Sequence, residues 1–363
     1  MAGVAVLAGL DINDKYSQSF AANFPDAKLI RDDVTNLDPR QLARMAGVQR
    51  GELTLLAGGP PCQGFSKNVP RRQRWLADPR NLLMKRFLDY CEYLEPQNVL
   101  IENVAEMRAG FDQTYTNEIT DRLDAAGYSV VHSVFNAADF GVPQRRRRAF
   151  FLASRSTLPP QLPIQTHFQP SAQGQNELFA RPSHVSVWDA ISDLPPLSHG
   201  TAIQRFYYRS TPHSNFQSMI RSPTGWVENH QARLLQPKQL ARLSSLLPGQ
   251  GNADLPARLR VKGGYSGAYG RLTKEMVCPT ITRWVFHPGS GRWGHPVDIR
   301  TLTIREISRI QSFPDSYRFV GSYNDMAGQL GNAVPPLLIR TIAETMLKPL
   351  PSKPRTSRSL ARR

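Results

Sequence analysis

Apolar residues in the first 155 positions fall into two alternating patterns. Short runs (VAVLAGLDI, LTLLAGG, NVLIENV and AFFLAS) are rich in Val, Leu and Ile and bounded by Gly, Pro or Asp, as strands buried on both faces of a parallel sheet are. Between them, SQSFAANF, NLLMKRFLDYCEYLEP and TNEITDRLDAAGY carry helical spacing, the last closing on Gly127 at a helix-stop position. The pattern predicts an α/β domain over 1–155 with a parallel sheet and ligands at the carboxyl ends of its strands. From about 156 to 275 the chain turns rich in Pro and Gly, as in PPQLPIQTHFQPSAQGQ, and no long helical period is sustained. A smaller, irregular second domain of short strands and turns is predicted over 156–298. Helical spacing returns in LTIREISRIQSF and PPLLIRTIAETML, which predicts a return to the first domain over 299–347, ahead of a basic, disordered tail at 348–363.

Composition narrows the class. The 363 residues are 40% hydrophobic, enough for a sizeable core. No run of about eighteen uncharged apolar residues occurs, which excludes a membrane-spanning helix, and the N-terminus does not read as a signal peptide. Three cysteines, Cys62, Cys91 and Cys278, exclude a disulfide scaffold and a four-thiolate zinc site. His184, His213, His230, His287 and His295 show no metal-ligand spacing, so no metal is expected. The expected compartment is a reducing cytoplasm. Charge is more telling: 45 Lys+Arg against 29 Asp+Glu give +16, a polyanion-binding signature. Part of it lies in the tail, yet the remainder is still strongly basic. Nucleic acid is the leading partner, with an anionic surface or plain solubility as the alternative.

Three segments carry chemistry. LTLLAGGPPCQGFS runs an apolar strand into Gly58-Gly59-Pro60-Pro61 and sets Cys62 on the turn beyond it, where a thiolate can act as a nucleophile. Cys91, inside a helical pattern, reads as a core residue. NVLIENV delivers Glu102 to a strand end, where desolvation favours a protonated, hydrogen-bond-donating carboxyl; a solvated glutamate opening a loop is the alternative. In DFGVPQRRRRAFFLAS, Gln144 precedes Arg145 to Arg148 as they enter a strand, whose alternation sends two guanidiniums to each face.

PPCQGFS, IENV, QRRRR, RTLTIREISRIQSFPD and QLGNAVPP stand in the order found in DNA (cytosine-5) methyltransferases, and the chain resembles a bacterial, restriction-modification member of that family from Leu10 to Pro336. The resemblance implies a class I S-adenosylmethionine-dependent methyltransferase fold, a Rossmann-like α/β sheet with a smaller target-recognition domain. It implies a methyl transfer from S-adenosylmethionine to carbon 5 of a flipped cytosine in double-stranded DNA. By the same resemblance Cys62 attacks ring carbon 6, Glu102 contacts ring nitrogen 3 and the exocyclic amine, and Arg146 and Arg148 lie near the base carbonyl and the thiol. Gln63, Ser66, Lys67, Arg71 and Arg72 are expected at the DNA, around a loop that also holds Arg74 and Arg80 against the single acid Asp78, and Gln144 of the QRRRR segment is expected there too. Asp11, Ile12, Asp33, Val34, Pro61, Leu83 and Asn332 match cofactor-pocket positions, although Asp33 is equally suited to cap a helix. Tyr265, Tyr269, Arg271, Arg283 and Trp284 are candidate DNA contacts, with core packing the alternative for each ring. A monomer with a cognate restriction endonuclease is the expected setting; transfer RNA methylation and a catalytically impaired DNA-binding remnant are the competing functions.

One part of the family pattern is missing. The family opens with a strand and a Phe-x-Gly-x-Gly-Gly loop that holds the methionine end of the cofactor, whereas Met1-Ala2-Gly3-Val4 corresponds to the point just before the second strand. A longer natural protein is the favoured account, beside a missing piece on a separate chain and a decayed, inactive remnant. The 363 residues alone are expected to bind S-adenosylmethionine poorly and to transfer little methyl.

Overall fold

A computed structural model describes residues 2–61, 82–108, 113–156, 158–169, 182–208, 210–262 and 267–348. The chain opens with β1 (Ala8–Leu10), α1 (Asp14–Asn23), β2 (Lys28–Ile30), α2 (Pro39–Ala46), β3 (Leu55–Gly58), α3 (Leu82–Leu94), β4 (Asn98–Val104), α4 (Thr114–Ala125), β5 (Ser129–Asn136) and β6 (Arg147–Ser154). Local chemistry fixes the helix ends. Asp38 caps α2 and Gln41 returns a bond to the Asp38 N–H, while Pro39 fills the first turn and Gly47, at φ 72°, ends the helix. After α4 the chain reverses at Gly127, φ 85°, where the sequence places a stop.

These six strands form two sheets. β1 and β2 make a parallel pair, and β3, β4, β6 and β5 follow one another in a second, four-stranded sheet. β3 and β4 are parallel, but β6 runs antiparallel to both of its neighbours, which corrects the expectation of an all-parallel sheet. Only a short helical turn at Ala137–Phe140 separates β5 from β6. Without a crossover helix the returning strand has to run the other way. Leu88, Cys91, Ile119 and Leu123 from α3 and α4 cover one face of this sheet, against Val99, Ile101 and Phe151.

The second region contributes α5 (Val187–Ile191), β7 (Ala202–Tyr207), α6 (Asn215–Ile220), β8 (Trp226–Gln231) and α7 (Pro237–Ser244), followed by α8 (Ile304–Ile310), α9 (Tyr323–Asn332) and α10 (Pro336–Leu347). β7 and β8 pair as an antiparallel ribbon. Ile304, Ile307 and Leu330 of α8 and α9 share a core with Val187, Ala190 and Ile191, whereas Leu338 and Ile342 of α10 pack on Phe135, Phe150 and Leu152 of the sheet. The returning segment thus ties the two regions together. Among the described residues no helix is long and apolar enough to cross a membrane.

Candidate active site

β4 and β6 build the centre of the site. Alternation along the entry to β6 leaves Arg145 and Arg147 exposed and turns Arg146 and Arg148 inward, two to each side as the sequence requires. Arg148 stands opposite Val104 in the register, and its Nε lies 2.9 Å from Oε1 of Glu102. Burial pushes the Glu102 carboxyl toward its protonated form, against the pull of Arg148 and then Arg146. Beside it, Asn103 Nδ2 donates to the Pro60 carbonyl at 2.9 Å, which fastens the end of β4 to the turn after β3. Gly59 matters here for space: a Cβ on it would lie 3.2 Å from Glu102 Oε2. Pro61 is the last described residue before Cys62, which lies outside the described residues together with Gln63, Ser66, Lys67, Arg71 and Arg72. Cys91 and Cys278 are buried, and burial drives both thiols far toward the protonated form.

Arg146 is fully enclosed. Its Nη1 donates to Ile281 O at 2.8 Å and Nη2 to Gly331 O at 3.0 Å, while Nε has no hydrogen-bond partner. Burial, followed by the like charge of Arg148, pushes its pKa down to about 9, so it remains a cation at neutral pH. Gln144, expected at the DNA, is instead buried. Its Nε2 donates to Gln311 Oε1 at 2.9 Å and its Oε1 accepts from Ile281 N at 2.8 Å. Gln311 Nε2 in turn donates to the Leu330 carbonyl. Gln144 is therefore an internal brace that holds the 278–284 segment and the end of α9 against the start of β6.

The expected cofactor positions converge. Asp11, Ile12, Asp33, Val34, Pro61, Leu83 and Asn332 line one cavity of about 2980 Å3 together with Glu102, Arg146 and Arg148. Asp11, exposed at the end of β1, accepts from Asn13 N at 2.7 Å. Asp33 accepts from Thr35 N at 2.8 Å, and that bonding holds its carboxyl below the usual range; it closes a turn, and the helix cap is Asp38. The Val34 carbonyl accepts from the Tyr90 hydroxyl at 2.9 Å.

The DNA candidates of the second region divide. Arg283 and Trp284 line the same cavity, with the guanidinium 4.6 Å from the indole centre. Tyr269 is buried beside Leu246 and Leu255. Arg271 donates to the carbonyls of Leu246, His295, Pro296 and Val297. Tyr269 thus follows the core-packing alternative, whereas the interior position of Arg271 corrects its place among the candidate DNA contacts; Tyr265 lies outside the described residues. Sequence reasoning missed Gln311 and Ile281, because their importance rests on contacts with residues more than 130 positions away.

Comparison with known proteins agrees with this geometry. The family profile for C-5 cytosine-specific DNA methylases matches residues 1–348. The chain is 32% identical over 353 residues to the Type II methyltransferase M1.HphI of Haemophilus parahaemolyticus, covering 96% of this chain and 82% of that protein. It is 31% identical over 365 residues to M.DdeI of Desulfomicrobium norvegicum, covering 95% and 83%. In fold it is similar to a crystal structure described as a DNA modification methyltransferase encoded within an E. coli prophage, with TM-score 0.73 and 22% identity over 95% of this chain and 92% of that one. With that profile spanning nearly the whole chain and relatives above 30% identity along its length, the chain belongs to the C-5 cytosine-specific DNA methylase family.

Proposed function

We propose that the chain methylates carbon 5 of cytosine within a specific double-stranded DNA sequence, using Cys62 as a transient nucleophile. Carbon 5 is a poor nucleophile until the neighbouring double bond is saturated. The Cys62 thiolate forms a bond to ring carbon 6, and the displaced electron pair makes carbon 5 nucleophilic. S-adenosylmethionine supplies the methyl group that carbon 5 takes up. Loss of the carbon 5 proton to solvent then restores the double bond and releases the Cys62 thiolate. A stacked base cannot reach such a site, so the cytosine is flipped out of the duplex.

The observation that carries this reading is the placement of a desolvated Glu102, paired with Arg148, against Gly59, with Asn103 bonded to Pro60, in the segment that leads into Cys62. A proton on Glu102, donated to ring nitrogen 3, offsets the negative charge that builds there as the thiolate adds. Arg148 orients the carboxyl. Arg146, immobilised by two carbonyls, adds a fixed positive charge. The donor set also fits the nucleoside end of S-adenosylmethionine: Asp11 offers a carboxylate to a ribose diol and Asp33 to an exocyclic amine, with Val34 and Leu83 beside the ring. A monomer acting alongside a restriction endonuclease of the same specificity is the proposed setting.

The test is covalent trapping. Duplexes substituted with 5-fluorocytosine are incubated with the chain and saturating S-adenosylmethionine, then resolved under denaturing conditions. The fluorine cannot leave as a proton does, so a denaturation-resistant adduct is expected from the wild type and none from Cys62→Ser. Absence of an adduct with every duplex, or equal trapping by Cys62→Ser, overturns the proposal. Trapping on transfer RNA in place of duplex DNA assigns the activity to RNA.

A further inference from the structure

β6 runs antiparallel to β4, so the start of β6 lies at the carboxyl end of β4, the end that delivers Glu102 to the cavity. Arg148 stands opposite Val104, the last residue of β4, and Arg147 opposite Asn136, the last residue of β5. Arg147 and Arg145 therefore sit at and beyond the rim of the sheet, where the ligands of such folds approach. Arg146 and Arg148 line the cavity; the two exposed guanidiniums turn the other way and stand outside it. Among the described residues neither has a carboxylate or a hydrogen-bond partner. By contrast Arg155, just past the far end of β6, lies 3.3 Å from Glu95.

Their side chains are free, but their main chain is fixed. Arg145 N donates to the Cys278 carbonyl at 2.9 Å, and the Arg145 carbonyl accepts from Thr280 Oγ1 at 2.6 Å. The Arg147 carbonyl accepts from Arg148 Nη1 at 2.8 Å. That last bond comes from the guanidinium paired with Glu102, so the two exposed arginines keep a set place relative to the base pocket. Neighbouring cations repel, and a backbone that holds two of them about 7 Å apart is matched by a polyanion. A cytosine extruded into the cavity stays joined to its own strand, whose phosphates remain outside. Resting on the cytosine methylation argued above, we propose that Arg145 and Arg147 bind two successive phosphates of the target strand beside the extruded base. They read no sequence; they fix the register of the strand against Glu102.

The probe is a fluorescein-labelled duplex of mixed sequence, titrated with the 363-residue chain without S-adenosylmethionine and read by anisotropy between about 50 and 200 mM salt. Each phosphate contact contributes about 0.9 to the slope of log affinity against log salt. Arg145→Gln and Arg147→Gln are each expected to flatten the slope by about that amount, with the same loss on a duplex of unrelated sequence. Arg40→Gln is the control. Arg40 is an exposed arginine on α2, so the net charge falls equally, and the wild-type slope is expected. An unchanged slope in either rim variant, a loss confined to one sequence, an equal change in Arg40→Gln, or no duplex binding by the wild type overturns the proposal. Methyl transfer does not enter the readout. A normal Cys62 adduct with unchanged slopes removes the rim contacts alone, and flattened slopes without an adduct remove the chemistry alone.

Discussion

Glu102 and Arg148 meet at 2.9 Å across neighbouring antiparallel strands, each side chain less than one-fifth exposed. The pairing couples two demands that pull against each other. Burial favours a neutral carboxyl able to donate a proton, and the guanidinium favours a charged one. Glu102→Gln keeps the shape and a hydrogen-bond donor but cannot transfer a proton. Methyl transfer is expected to fall by about 10²- to 10⁴-fold, while S-adenosylmethionine affinity, measured by calorimetry, changes little. A comparable loss in both quantities would instead mark Glu102 as a structural support.

The same group gives a pH signature. Burial raises the Glu102 carboxyl above its ordinary 4.5, so the folded chain holds a proton that the unfolded chain has already released. Below the unfolded value both states are protonated and the group leaves stability unaffected. As pH rises from there through the raised folded value, stability is lost, and it remains lost above. Glu102→Gln removes this dependence. The thermal midpoint of the variant minus that of the wild type is therefore expected to become more positive between about pH 4 and pH 7. A flat or opposite trend would show that the attraction of Arg148 outweighs burial.

Gln144 offers a different separation. Its amide satisfies the buried Ile281 N–H and the Gln311 carbonyl oxygen, and Gln144→Leu orphans both. Each unsatisfied group costs about 1–3 kcal/mol, so the expected loss is roughly 2–6 kcal/mol, read by urea denaturation. As Gln144 touches no solvent, the slope of DNA affinity against salt concentration is expected to stay at the wild-type value. A reduced slope would return Gln144 to the DNA surface.

Much of this architecture is legible in the chain because buried strands and amphipathic helices leave periodic marks. VAVLAGLDI, LTLLAGG and NVLIENV contain β1, β3 and β4, AFFLAS makes up β6 after its first two residues, and strand alternation alone sorts the four arginines into two exposed and two inward. The direction of β6 carries no such mark, since it depends on the absence of a helix in the preceding connection. Gln144 and Arg271 mislead for a related reason. Whether a polar side chain faces solvent depends on partners distant in sequence, such as Gln311 for Gln144 or the 295–297 carbonyls for Arg271. The convergence of Asp11, Asp33 and Asn332 on one cavity likewise follows from tertiary packing, which local spacing does not encode.

Gly331 joins these long-range contacts at one point. Its carbonyl accepts from Arg146 Nη2, and a Cβ built on it would overlap the backbone of Thr282 and Arg283. The obstacle is main chain, so no rotamer change can relieve it. Gly331→Ala must either push the 282–283 segment away from α9 or lift the end of α9 from Arg146. Either movement displaces the cavity wall that carries Arg283 and Trp284. A stability loss of about 1–3 kcal/mol is expected from the overpacking, together with a fall in methyl transfer larger than the unfolded fraction accounts for. Gly328 makes the control. It lies on the same helix, but a Cβ there would meet the Tyr16 hydroxyl, the far end of a side chain that can swing aside. Gly328→Ala is expected to retain most activity. Equal losses from the two substitutions would indicate that general damage to α9, rather than its contact with the 282–283 backbone, governs the site.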